Sequence, residues 1–314
     1  MDEVENNDFK VSVIIPVYNA EKYLVQALNS AIDLEEVGEI ILVEDRSPDN
    51  ALHICKRLAE THDKVKLFTH LNNENRGASA SRNLGINEAA FSYISFLDAD
   101  DIYLPNRFKK DKIVFESQNN VDAVYSKAVL KNFRNEILVE YGYEDKIRER
   151  IGVNGSALDF YIESLKIKSS LFHTNSITFK KSFLLEGKLF DERLRLHQDS
   201  ELWRRLLRRG HFFSGELSIP VAEVRSHDNN RITTRNFRSE LQQLAVFINN
   251  VGLNNLFTFE LESLFKRALR KESLRFTNNR NRRIFYYFNF LKYFFRKRHY
   301  LKHIEKEYND ELVK

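Results

Sequence analysis

The sequence predicts an α/β fold, a mainly parallel mixed sheet covered by helices, followed by a C-terminal helical region. Three observations point there. Short apolar, β-branched runs alternate with helical patterns through the first third of the chain, as expected of strands buried on both faces. Polar residues gather just after each of those runs. Beyond about Thr234 helical patterns dominate, glycine is scarce, and aromatic and basic residues interleave.

The elements follow in order. Val11-Ser12-Val13-Ile14-Ile15 is the first strand, ended by Pro16. From Glu21 to Ile32 the spacing sets Tyr23, Leu24, Ala27, Leu28 and Ala31 on one helical face. Ile40 to Val43 is a second buried strand, and Ser47-Pro48 has the residues of an N-cap and first helical position. Val65 to Phe68 makes a third strand, Ala78 to Ala90 a helix, and Tyr93 to Leu97 a fourth strand. From about Val121 to Val224, short strands at Ala123-Val124-Tyr125, Ile137-Leu138-Val139 and Ile177-Thr178-Phe179 mix with helices. One of those helices spans Ser200 to Arg209. A boundary falls between Ser226 and Arg235, dividing the chain into 1–230 and a helical 231–314.

The bulk numbers restrict the class. An apolar fraction of 42% supports a sizeable core, and a net charge of +4 does not by itself argue for nucleic acid. Cys55 is the only cysteine, which excludes an intrachain disulfide or a cysteine zinc cage; it reads as a buried helix-face residue. The acidic start (Asp2, Glu3, Glu5) lacks an apolar secretory core. No stretch reaches the roughly 18 apolar residues of a spanning helix. The expectation is a cytoplasmic protein that touches membrane only peripherally, on the inner face.

In open α/β sheets, ligands sit beyond the carboxyl ends of the strands. There stand Tyr18 and Asn19, then Glu44 and Asp45, then Asn72 to Arg76, then Asp98-Ala99-Asp100-Asp101. The last cluster packs three carboxylates into four residues. Such charge is costly unless a cation or hydrogen-bond donors offset it. Carboxylates suit Mn²⁺ or Mg²⁺, which bind through one or two of them plus substrate phosphates. The plainer reading is an acidic loop, with Asp101 capping the helix that Pro105 helps start.

Four blocks then become familiar together: Val13-Ile14-Ile15-Pro16-Val17-Tyr18-Asn19, Val43-Glu44-Asp45-Arg46-Ser47-Pro48-Asp49, Asn75-Arg76-Gly77-Ala78-Ser79-Ala80-Ser81-Arg82-Asn83 and Phe96-Leu97-Asp98-Ala99-Asp100-Asp101. In order and spacing they resemble the family 2 glycosyltransferases over roughly residues 10 to 110. The resemblance implies a GT-A (Rossmann-like) nucleotide-diphospho-sugar transferase domain in residues 1–230, with its donor part at about 10–110 and its acceptor side at 111–230. It implies an inverting transferase of the bacterial cell-surface polysaccharide type, moving a sugar from a UDP-sugar to a glycan or lipid-linked acceptor. Pro16, Val17 and Tyr18 would flank the base, and Asp45, with Glu44 beside it, would bond the uracil. Arg82 would contact base or phosphate, Asp98 ribose or metal, and Asp100 the metal. Glu44-Asp45-Arg46 stands where Asp-Asp-Gly is commoner, which puts a bulky Arg46 at the turn.

Transfer also needs a base for the acceptor hydroxyl. His197-Gln198-Asp199-Ser200-Glu201-Leu202-Trp203 resembles the family's Glu-Asp element with Gln in place of Glu, so Asp199 aligns with the base. Glu201 and His197 are reserves, and a helix cap is the structural reading of Asp199. Val224-Arg225-Ser226-His227 resembles an Arg-x-His element that makes His227 a metal or diphosphate ligand, although a lone histidine after a strand is commonly structural. His173 and His211 have no supporting pattern and receive no role.

Residues 280–303 combine many arginines and lysines with many phenylalanines and tyrosines. A helix of that kind suits a membrane interface. The same aromatics could instead pack on the rest of the chain. Nucleic acid has no support elsewhere. Two other functions compete with transfer: a sugar nucleotidyltransferase, which would want a glycine-rich phosphate loop after the first strand, and a non-catalytic nucleotide-sugar-binding module tethered at the membrane.

Overall fold

The computed structural model describes residues 9–132, 137–141, 156–166, 172–226 and 236–313. The chain divides into two compact units. The first comprises residues 1–146, 170–189 and 210–227, the second 147–169, 190–209 and 228–314. The helical unit thus takes in two earlier segments besides the C-terminal region beyond residue 230.

In the first unit, β1 (Val11–Val17), β2 (Val37–Glu44), β3 (Val65–Thr69) and β4 (Tyr93–Phe96) alternate with α1 (Leu24–Ile32), α2 (Ala51–Thr61) and α3 (Ala78–Glu88). A short β5 (Ile102–Tyr103), α4 (Lys109–Ser117), β6 (Ala123–Tyr125), β7 (Ala128–Lys131) and β8 (Ile137–Tyr141) come next. The helical unit contributes α5 (Ala157–Ser164), and the chain returns as β9 (Ile177–Lys180) and α6 (Lys181–Leu185). After α7 (Gln198–Leu207) of the helical unit come β10 (Phe212–Ser214) and β11 (Ala222–Arg225).

The main sheet has seven strands in the order β10-β6-β9-β4-β1-β2-β3. All run parallel except β9, which is antiparallel to both neighbours. The mainly parallel mixed sheet expected from the sequence is therefore present. A second sheet, β5-β11-β7-β8, was not foreseen, because its strands are two to five residues long and carry little periodicity.

Element boundaries shifted for identifiable reasons. Pro16 does not end β1, which continues to Val17 on the β2 side. Successive backbone groups of a strand point to opposite neighbours. The Val17 carbonyl accepts from Asp45 on the β2 side, and the Ile14 carbonyl accepts from Leu97 on the β4 side. Pro16 shares the orientation of Ile14 and has no N–H to give, so the β1–β4 ladder stops and the chain peels away toward Asp98. Ser47-Pro48 does not open α2 either. Those residues stay in the turn, and the helix begins at Ala51, whose N–H donates to Asp49 (3.1 Å).

Helix α3 lies close on the sheet because Gly85 has no side chain. A Cβ there would stand 2.4 Å from Ile14 Cγ2. Cys55 is fully buried in α2, and burial pushes its thiol up to about 12, in keeping with a structural role.

The second unit has its own core. Leu241, Leu244, Phe247 and Ile248 of α8 (Phe237–Val251) pack with Leu264, Phe265 and Leu269 of α9 (Thr258–Ser273) and with Leu301, Ile304 and Tyr308 of α11 (Lys297–Val313). Between these last two runs α10 (Asn279–Tyr293). Asn236 and Ser239 form a capping box that starts α8, and Ser156 with Asp159 does the same for α5.

Candidate functional site

The strand order β3-β2-β1-β4 reverses direction between β1 and β4, and at such a switch point the loops leaving the carboxyl ends part to form a crevice. Four of the polar clusters named from the sequence follow β1, β2, β3 and β4 and so lie along this edge.

Glu44 and Asp45, both buried, build its β2 corner. Glu44 accepts from the backbone N–H of Arg46 (3.2 Å) and Ser47 (2.5 Å), which fastens the turn. Arg46 sits there at φ 56°, the left-handed region in which glycine is at ease. Asp45 takes the backbone N–H of Arg76 on one oxygen (2.6 Å) and of Gly77 on the other (2.8 Å). Its carbonyl accepts from Asn75 Nδ2 (2.6 Å). Asp45 is thus the anchor of the loop that opens α3, with His70 Nε2 3.5 Å from the oxygen that holds Arg76. His70, after β3, meets Ser81 Oγ at 3.0 Å and completes the corner.

Of the three residues expected to flank a base, Tyr18 is the exposed ring, 42% accessible, whereas the Val17 side chain is fully buried in the core. Pro16 shapes the ladder end. Arg82, largely buried on α3, donates through Nη2 to Asp98 Oδ1 at 2.6 Å. This pair joins the third block to the fourth.

Asp101 does not cap a helix, since α4 starts only at Lys109. It is buried and held by two donors, the Asn175 side-chain amide (2.6 Å) and the Arg225 N–H (2.8 Å). Burial first, and then the charges of Asp100 and Asp98, push its carboxyl well above the ordinary range. Asp98, Asp101 and His173 bring one potential ligand atom each within 4.8 Å of one another. Asp100 is not in that group. Its carbonyl accepts from Arg225 Nε, and the Arg225 guanidinium continues to Gln26 Oε1 (2.6 Å) and over the Tyr23 ring at 5.2 Å. His227 lies outside the described residues. Carboxylates joined by an imidazole suit Mn²⁺, and a cation there would offset charge that burial makes costly, so the donor set fits the expected metal.

Sequence reasoning missed His173 and Asn175. The Asn175 amide oxygen accepts from the Asp98 N–H (3.1 Å), and its nitrogen donates to Asp101. Its backbone N–H donates to His173 Nδ1 at 3.3 Å. Both residues precede their strand instead of following it. Because β9 is antiparallel, its amino end shares the edge with the carboxyl ends of β1 and β4. Polar residues just before Ile177-Thr178-Phe179 were the available signal. Beneath them Arg107, fully buried, donates to the Asn175 carbonyl (2.8 Å) and to Asp111 (2.8 Å).

Asp199 belongs to the second unit, at the second position of α7. It is half-buried and accepts from the Ser200 N–H (2.7 Å). The helix N-cap is His197, so Asp199 is not the cap, although a carboxylate in the first turn is favoured there. The two reserves have other partners. Glu201 is buried against Arg205 (2.7 Å) and Asn250 (3.0 Å), and His197 Nε2 meets Ser239 Oγ at 3.1 Å. His211 meets Asp122 at 3.2 Å.

Known proteins resemble this chain in sequence and in fold. The model of the family described as Glycosyl transferase family 2 matches residues 12–137. The minor teichoic acid biosynthesis protein GgaB of Bacillus subtilis is 33% identical over 202 residues, covering 63% of this chain and 21% of GgaB. Glycosyltransferase GlyA of Streptococcus pneumoniae is 32% identical over 192 residues, covering 60% of this chain and 25% of GlyA. The chain spans well under half the length of these two relatives. S. aureus TarS 1–349 in complex with UDP-GlcNAc superimposes with a TM-score of 0.61 at 17% identity, over 86% of this chain and 74% of that one. With the four blocks in register along one sheet edge, residues 12–137 match the family 2 glycosyltransferases, and the fold is the GT-A-like one that the chain shares with TarS.

Proposed function

We propose that this protein is an inverting glycosyltransferase that moves a sugar from a UDP-sugar to an acceptor hydroxyl in surface polysaccharide or glycolipid synthesis. The observation that carries the proposal is the convergence of the Glu44–Ser47 turn, the Asp45-anchored loop, Arg82 and Asp98 on one sheet edge. The donor class is supported by TarS, solved with UDP and with UDP-GlcNAc, and the acceptor class by GgaB, a teichoic acid biosynthesis protein.

In this reading the base stacks near Tyr18 and bonds the Glu44–Asp45 corner. Arg82 serves the base or diphosphate and orients Asp98 through their 2.6 Å bond. Asp98, Asp100, Asp101, His173 and His227 are the residues that would hold Mn²⁺ or Mg²⁺. Such a cation supplies neutralisation of the charge that grows on a departing diphosphate. Asp199 takes the proton of the acceptor hydroxyl as that oxygen attacks the anomeric carbon from the face opposite the leaving group, which inverts configuration.

The test is donor turnover by the full chain against a panel of UDP-sugars. Asp199→Asn should leave UDP binding unchanged and lower transfer by about 10²–10⁴-fold, the usual weight of a general base. Retained transfer, or a parallel loss of UDP binding, would remove Asp199 from that role. Binding with no turnover by the unaltered chain would favour the module over the enzyme.

A further inference from the structure

Helix α10 carries aromatics on two faces, and among the described residues only one of them packs inside the protein. Tyr286, Phe290 and Tyr293 pack against the core of the helical unit, with Phe290 stacked on Phe265 at 5.9 Å and Tyr293 tilted against Tyr300 at 5.1 Å. The other face carries Ile284, Tyr287, Phe288 and Leu291, which recur at three- and four-residue spacing and are 57%, 63%, 64% and 75% exposed. Phe295, just past the helix end, is 94% exposed. Neighbouring large apolar side chains left in water mark a docking surface more often than chance.

The rim of this stripe says what docks. At 100° per residue, Arg280 falls on the stripe's amino end, Arg283 along one edge and Lys292 along the other. All three are exposed. Arg280 and Arg283 make no ion pair among the described residues, and Lys292 lies over the Tyr293 ring at 5.0 Å. No aspartate or glutamate occurs between Glu272 and Glu305. The complementary surface is therefore apolar at its centre and anionic at its rim. A second copy of the same face would set cation against cation. Ile284 and Leu291, being aliphatic, give nucleobases nothing to stack on.

We propose that the outer face of α10 docks the protein on an anionic membrane surface. Its apolar side chains enter the headgroup boundary, and Arg280, Arg283 and Lys292 meet lipid phosphates. Among the described residues no helix is long and apolar enough to cross a membrane, so this contact is peripheral. The proposal does not depend on the donor chemistry of the first unit.

Sedimentation of the full chain with vesicles tests it, using phosphatidylcholine alone and phosphatidylcholine with one-third phosphatidylglycerol. Each cation near an anionic surface strengthens binding about fivefold, so the mixed vesicles should bind about a hundredfold better, and added salt should narrow the gap. The combined Tyr287→Ser, Phe288→Ser and Leu291→Ser variant should lose binding to both vesicles with an unchanged thermal melt, since these side chains are exposed. The Arg280→Gln, Arg283→Gln, Lys292→Gln variant should lose the preference for anionic lipid. Equal binding to both vesicle types, or undiminished binding by the serine variant, would overturn the proposal. So would a dimer that the serine variant dissociates, or binding of a short RNA in place of vesicles.

Discussion

Arg46 holds a backbone conformation, φ 56°, that costs an L-residue about 1 kcal/mol and costs glycine little. The Glu44 carboxylate keeps it there by gripping the N–H groups of Arg46 and Ser47. Arg46→Gly should therefore raise stability by about 0.5–1 kcal/mol, read as a higher urea midpoint with an unchanged slope. A lower midpoint would mean that the arginine side chain contributes more than its strain removes. At this scale the acidic cluster was visible in the sequence because its members are contiguous. Its partners were not: Asn175 stands 77 positions from Asp98, in no motif, and only strand direction places it there. Asp101 was legible as acidic but not as buried, because Arg225, which holds it, comes 124 positions later.

Among elements, the deciding feature is how β4, β9 and α4 are tied beneath the site. Arg107 and Asp111, four residues apart and fully buried, form a 2.8 Å ion pair whose remaining groups bond Ser95, Asn175, Ile177, Thr178 and Ser126. A satisfied pair of this kind contributes little net stability, but breaking it strands a buried charge. Asp111→Asn alone, or Arg107→Met alone, should cost about 3–5 kcal/mol. The double change should cost clearly less than the sum of the two singles in a denaturant double-mutant cycle. Additive losses would show that the two side chains act independently. The strands and helices of the first third were readable from periodicity because they are long or continuously apolar. Of the second sheet, β8 was legible at Ile137-Leu138-Val139, but β5, β7 and β11 were not, since pairing with distant partners, not local pattern, makes them strands. On α10 the sequence showed too many aromatics for one face, and the fold resolves this by giving each of two faces its own set.

For the whole molecule, the sequence reading divided the chain by position, whereas the chain divides by contact into a sheet unit and a helical unit that exchange segments. The proposed donor residues fall in the first unit and the proposed base, Asp199, in the second. The proposed transfer requires donor binding at the carboxyl edge of β1, β2 and β4, with a divalent cation among Asp98 and its neighbours. Calorimetric titration of UDP into the full chain, with and without Mn²⁺, tests this most directly, run beside Asp98→Asn and Asp100→Asn. The prediction is saturable binding that needs Mn²⁺ and weakens about 10–100-fold in each variant, the loss expected when a metal site is disturbed. UDP binding that ignores Mn²⁺ and both substitutions would contradict it.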